Sequence, residues 1–105
     1  MANGPMENRN PDTGWIRINE SYPTYYRVRN GVCYVVMRLI GGATPSDGQI
    51  LGTLPSNYRP TLQIACCTHN LRGAFMVDTT GNISISANSG QTLNNYMGCA
   101  VSYPI

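Results

Sequence analysis

The residues able to do chemistry are few: one histidine, four cysteines and five carboxylates in 105 residues. Cys67 and His69 stand two apart, so on a strand they share a face and could both reach one zinc ion. Two more ligands would have to come from Cys33 or Cys99 on other strands, whereas structural zinc sites use tighter Cys and His pairs. A packed thiol beside a partly exposed imidazole is the simpler outcome, and neither metal nor cofactor is expected. Cys66 and Cys67 are adjacent, point to opposite faces of any strand and read as small hydrophobes. With no C-x-x-C among the four, free thiols are the expected state of a chain made in a reducing cytoplasm. Glu7, Asp12, Glu20, Asp47 and Asp78 are isolated, while glycoside hydrolysis needs two carboxylates flanking one bond. No G-x-S-x-G elbow occurs. No catalytic residue is expected, and the chain does not read as an enzyme.

Binding chemistry is better represented. A shallow saccharide site needs a flat aromatic face for the C–H side of a ring, with planar amides and guanidinium forks for its hydroxyls. His69, Asn70 and Arg72 fall in one turn, and Asn94, Asn95 and Tyr96 open the last strand; these six are the candidate ligand residues. The alternative is that the asparagines form turns and the tyrosine packs in the core. The loop from Gly41 to Gly48 is the next place to look for a site.

Composition narrows the partners. Charged residues are 11% of the chain, the seven basic residues are all Arg, and the net charge is +2. Arg27 and Arg29 lie among Tyr25, Tyr26 and Tyr34, but at i and i+2 they read as a solvated strand face, so nucleic acid is not an expected partner. No apolar run reaches the length of a membrane span, and no signal peptide is seen, so synthesis without classical secretion is expected.

The elements that would position these groups are short. Residues 1–14, rich in Asn, Pro and Gly, read as a linker or arm, with the domain proper over 15–105. Strands are expected over Trp15–Ile18, Tyr25–Arg29, Val32–Ile40, Gln49–Thr53, Leu62–Asn70, Ala74–Asp78, Ile83–Ser86 and Tyr96–Tyr103. Asn30-Gly31 between the second and third is the strongest short hairpin signal. Eight strands with turn signals at this spacing predict an all-β antiparallel sandwich. The third strand is apolar on both sides: Cys33, Val35, Met37 and Leu39 alternate with Val32, Tyr34, Val36 and Ile40, broken by Arg38. One wet face should alternate cleanly, so one side of this strand is expected to meet another subunit.

Between the fourth and fifth strands stands Leu54-Pro55-Ser56-Asn57-Tyr58-Arg59-Pro60. Its prolines exclude a central strand, and Ser56-Asn57 is turn chemistry, which predicts a rigid extended corner. Tyr58 is suited to plug the end of the sandwich, and Arg59 to donate to carbonyls the corner leaves free. Ile50 to Pro60 resembles the IGTLP-x-x-YRP signature of the C-terminal head domain of phage tail-fibre and receptor-binding proteins. Gly14-Trp15-Ile16, Tyr26 to Val35, Thr80 to Ile85 and Val101 to Ile105 resemble that family's other segments in the same order. Cys66-Cys67-Thr68-His69 departs from it, being cysteine-rich where aliphatic and small residues are expected.

The resemblance implies a homotrimeric head at the tip of a tail fibre or baseplate, binding host surface polysaccharide without chemistry. It also implies structural roles for Trp15, Leu54, Pro55, Tyr58, Arg59 and Pro60. Such a chain would be made in the host cytoplasm and act on a virion after lysis. The alternatives are a structural trimerisation or cap module of a fibre, and a carbohydrate-binding module of a larger enzyme.

Overall fold

A computed structural model describes residues 12–105. All but the last three residues of the arm expected over 1–14 therefore lie outside the described residues. Every long element is a strand: β1 (Ile16–Asn19), β2 (Thr24–Arg29), β3 (Val32–Ile40), β4 (Gln49–Thr53), β5 (Ile64–Cys67), β6 (Gly73–Val77), β7 (Asn82–Ala87) and β8 (Tyr96–Pro104). They form two four-stranded antiparallel sheets, sheet I in the order β1-β2-β3-β8 and sheet II in the order β4-β7-β6-β5.

The hairpin between β2 and β3 turns on Asn30 (φ 54°) and Gly31 (φ 75°), the paired positive φ values that a two-residue turn of this hand requires. That turn sets a register of Tyr25 against Val36, Tyr26 against Val35 and Arg27 against Tyr34. Nine consecutive pairs then join β3 to β8, from Val32 against Pro104 to Ile40 against Tyr96. Because side chains alternate, the register sends Cys33, Val35, Met37 and Leu39 inward with Met97, Val101 and Tyr103. Sheet II answers with Leu51, Phe75, Val77, Ile83 and Ile85, and the two sets form one dry core. Fully burying side chains of this size is worth about 1.5–3 kcal/mol each.

The sheets also meet at their edges. His69 N–H donates to the Gly98 carbonyl on β8 (2.9 Å), and Asn19 Nδ2 donates to the Leu51 carbonyl on β4 (2.9 Å). These bonds satisfy edge groups that would otherwise be open to foreign strands.

The corner after β4 is more tightly wound than expected. Pro55 and Arg59 are extended, but Ser56–Tyr58 between them form one 3-10 turn, closed by Tyr58 N–H on the Pro55 carbonyl (3.0 Å). Arg59 Nε donates to the Leu54 carbonyl (3.1 Å), and Leu54 N–H donates to the Gly81 carbonyl (2.9 Å), so the corner is clamped to the turn between β6 and β7. Tyr58 is half-buried, its ring 6.0 Å from that of Tyr26, and its carbonyl accepts from the Tyr103 hydroxyl (2.7 Å).

The strand leaving the corner is shorter than the expected Leu62–Asn70. Leu62 is exposed, and β5 stops at Cys67 because Thr68 begins a turn. Thr68 N–H donates to the Gly73 carbonyl, and Leu71 N–H donates to the Thr68 carbonyl, which places His69 and Asn70 on the turn.

Candidate functional site

The sequence leaves open whether the two segments carrying the candidate ligand residues share an end of the fold. They do. Asn70 Nδ2 donates to the Tyr96 carbonyl (2.7 Å) and to Asn94 Oδ1 (3.3 Å), bringing the β5–β6 turn against the start of β8. Most of their polar groups are consumed in making that contact. Asn70 Oδ1 accepts from the buried Thr68 hydroxyl (2.7 Å) and from Arg72 N–H (3.2 Å). Asn94 Oδ1 accepts from Tyr96 N–H (3.0 Å), Asn95 Nδ2 donates to the Gly42 carbonyl (3.0 Å), and Arg72 Nη1 donates to the Thr92 carbonyl (3.2 Å).

His69 acts as a ladder residue: its Nδ1 accepts from Gly98 N–H (2.9 Å) while its backbone N–H donates to the Gly98 carbonyl. With Nδ1 accepting, Nε2 is the ring nitrogen left for a ligand, and the residue is exposed. Cys67 is exposed, and Cys33 is buried on the other sheet. What this end offers a ligand is therefore the exposed Tyr96 ring, the His69 Nε2 and the remaining arginine nitrogens.

A second feature lies on the outer face of sheet I. There β1, β2, β3 and β8 present Arg17, Tyr25, Val36 and Ala100 in one cross-strand row, and Arg27, Tyr34 and Ser102 in the next. Trp15, just ahead of β1 and 52% exposed, closes the second row. Three adjoining depressions cross this face. One of about 330 Å³ is lined by Trp15, Tyr25 and Val36. Another of about 150 Å³ is lined by Trp15, Arg27, Arg29 and Tyr34. The third, about 390 Å³, includes Val36, Arg38, His69, Gly98 and Ala100. Trp15 borders the first two and Val36 the first and third, so the three lie side by side along the face as a segmented trough.

The aromatic floor is held by arginines. The Arg27 guanidinium lies 5.9 Å from the Trp15 ring centroid, and that of Arg17 lies 5.7 Å from the Tyr25 ring. Arg27 is itself fixed by a two-pronged bond to Asp12 (2.9 and 2.6 Å). That bond, with the Gly14 N–H, lowers the Asp12 carboxyl to about 2. Thr13 completes the tie, its N–H donating to the Val28 carbonyl and its hydroxyl accepting from Val28 N–H. Asp12–Gly14, assigned to the arm on sequence, are thus bonded along β2 and position Trp15.

Glu7 lies outside the described residues; the remaining carboxylates do structural work. Glu20 pairs with Arg17 (3.5 Å), Asp47 accepts from Ala87 N–H, and Asp78 accepts from the Thr80 and Asn82 N–H groups. Burial pushes the thiols of Cys33, Cys66 and Cys99 up from their ordinary range, and the hydroxyl of Tyr103 likewise.

Tyr25, Tyr34, Val36, Arg17 and Arg38 were not singled out on sequence as ligand residues, and Trp15 was assigned a structural role. The available signal was the alternation of Tyr25, Arg27 and Arg29 facing Tyr34 and Val36 across the Asn30-Gly31 turn. No family model, curated protein or solved structure matches this chain.

Proposed function

We propose that this chain is a receptor-binding head domain of the phage tail-fibre kind, recognising host surface saccharide without catalysis. The observation that carries the reading is the trough on sheet I, a floor of the exposed Trp15 with the half-buried Tyr25 and Val36, edged by arginines on a rigid two-sheet frame. Flat aromatic rings take the C–H faces of sugar rings, and guanidinium forks take their oxygens. The resemblance of Ile50–Pro60 to the tail-fibre signature supports the same reading, as does the clamped corner that those residues build.

The head works as a homotrimer. The sequence puts a subunit against one side of β3; its inner side is taken by the core, and its outer face carries Arg17, Arg27, Arg29 and Arg38, which are costly to bury. No charged residue occurs on the strands of sheet II, whose outer side presents Ile50, Ala65, Ala74, Met76, Ser84 and Ser86. Copies of the chain meet there, leaving sheet I to the receptor. Three weak sites on one tip then act together, and simultaneous engagement raises avidity by roughly 10²–10⁴-fold.

A glycan array probed with the intact oligomer tests the function. Binding of a defined set of glycans, lost in Trp15→Ala with unchanged melting, is the expected result. Retained binding in that variant removes the trough from the site. Light scattering is expected to give about three times 11.5 kDa, and a monomer at micromolar concentration overturns the assembly.

A further inference from the structure

The trough has a direction and a charge. Its two ends carry the arginines least used by the protein itself. At one end Arg29 is exposed, with only a 3.9 Å contact to Asp12, whose carboxylate is already bound by Arg27. At the other end Arg38 is exposed and makes no side-chain hydrogen bond or ion pair among the described residues, with the His69 ring beside it. Arg29 pairs with Val32, six residues before Arg38 on β3, so the two guanidinium groups stand about 20 Å apart along the strand direction. Between them lies the floor of Trp15, Tyr25 and Val36, with the Arg27 and Arg17 guanidinium groups against its two aromatic rings.

Resting on the saccharide reading above, we infer that the trough takes a linear anionic polysaccharide laid across the outer face of sheet I. Its sugar rings stack on Trp15 and Tyr25, and two of its acidic groups reach Arg29 and Arg38. Charge complementarity favours this occupant. Among the described residues the face carries four arginines against Asp12 and Glu20, and both of those acids are held by arginine. A neutral glycan would leave Arg29 and Arg38 without partners. A single sugar would fill one depression and reach one of them. The shared chemistry is a repeating carboxylate, sulfate or phosphate on a sugar backbone.

Trp15 is the only tryptophan in the chain, so its emission reports on the trough directly. The assembled protein is titrated with dextran sulfate, with plain dextran of the same length, and with poly-glutamate as a polyanion lacking sugar. Dextran sulfate is expected to shift Trp15 emission and to bind at least tenfold more tightly than either control. Arg29→Gln and Arg38→Gln should each weaken it by about three- to tenfold.

Equal binding of dextran and dextran sulfate overturns the anionic assignment while leaving saccharide recognition in place. Equal binding of poly-glutamate overturns the sugar part. No Trp15 response to dextran sulfate overturns the site, and a positive glycan array beside that result keeps the recognition function and moves it elsewhere. A Trp15 shift on concentrating the protein alone gives the face to a second copy and overturns the proposal.

Discussion

Replacing Gly81 by Ala tests whether the corner is clamped as described. Gly81 has φ +85°, and a Cβ built there would lie 2.7 Å from Arg59 Nε and 3.0 Å from the Leu54 carbonyl oxygen. The left-handed backbone alone costs an L-residue about 1–2 kcal/mol. Relieving the contact means displacing Arg59, which breaks its bond to the Leu54 carbonyl and adds about 0.5–1.5 kcal/mol. The expected loss is therefore about 1.5–3.5 kcal/mol. Gly90 supplies the control, with φ +78° and nothing within 4 Å of the added Cβ, so Gly90→Ala should show the backbone cost alone. Urea unfolding followed by far-ultraviolet circular dichroism, at one protein concentration, measures both. In an Arg59→Ala background the extra cost of Gly81→Ala should shrink, since only the Leu54 oxygen still opposes the methyl group. If Gly81→Ala and Gly90→Ala cost the same, or the background makes no difference, the clamp does not hold the corner.

Three further outcomes are expected. Thr68→Val keeps the shape but strips the buried Gly73 N–H of its hydroxyl partner (3.1 Å) and frees Asn70, so a loss of about 1–3 kcal/mol should appear in the same unfolding assay. An aromatic-thiol disulfide reagent should label the buried Cys33 last, with all four thiols found after denaturation without reductant; fewer than four would mean a disulfide. Because Asp12 is lowered below its ordinary value, its tie to Arg27 contributes above the unfolded carboxylate range and is lost as pH falls through about 2. The Arg27 Nε resonance should therefore hold steady to about pH 3 and move below it.

Local pattern made most of the fold legible. Alternation, apolar runs and turn residues placed a strand at each of the eight positions, and Asn30-Gly31 announced its hairpin, because these signals depend on neighbours in sequence. The long β3–β8 ladder was not legible, since nothing near Val32 names Pro104 as its partner. Strand length failed at β5, where the alternation from Leu62 to His69 suggested a longer run than the Thr68 turn permits.

The site was harder for the same reason. Asn70, Asn94 and Asn95 look like ligand groups in sequence, but partners 24 to 53 residues away occupy their amides. The trough depends on Arg17 pairing with Tyr25, a register set beside an irregularity between Arg17 and Asn19. It depends as well on Asp12 fixing Arg27 over Trp15. Neither relation is written in local spacing, although the arginine and tyrosine alternation that builds the face was visible.

The most direct test of the account is a map of backbone and indole resonances of the assembled protein, recorded with and without a glycan chosen on the array. Perturbations should fall on the outer face of sheet I, on the Trp15 indole N–H, Tyr25, Val36, Arg38 and Ala100, and leave the outer face of sheet II unchanged. Perturbations confined to residues 69–72 and 94–96, or lying on sheet II, would contradict it.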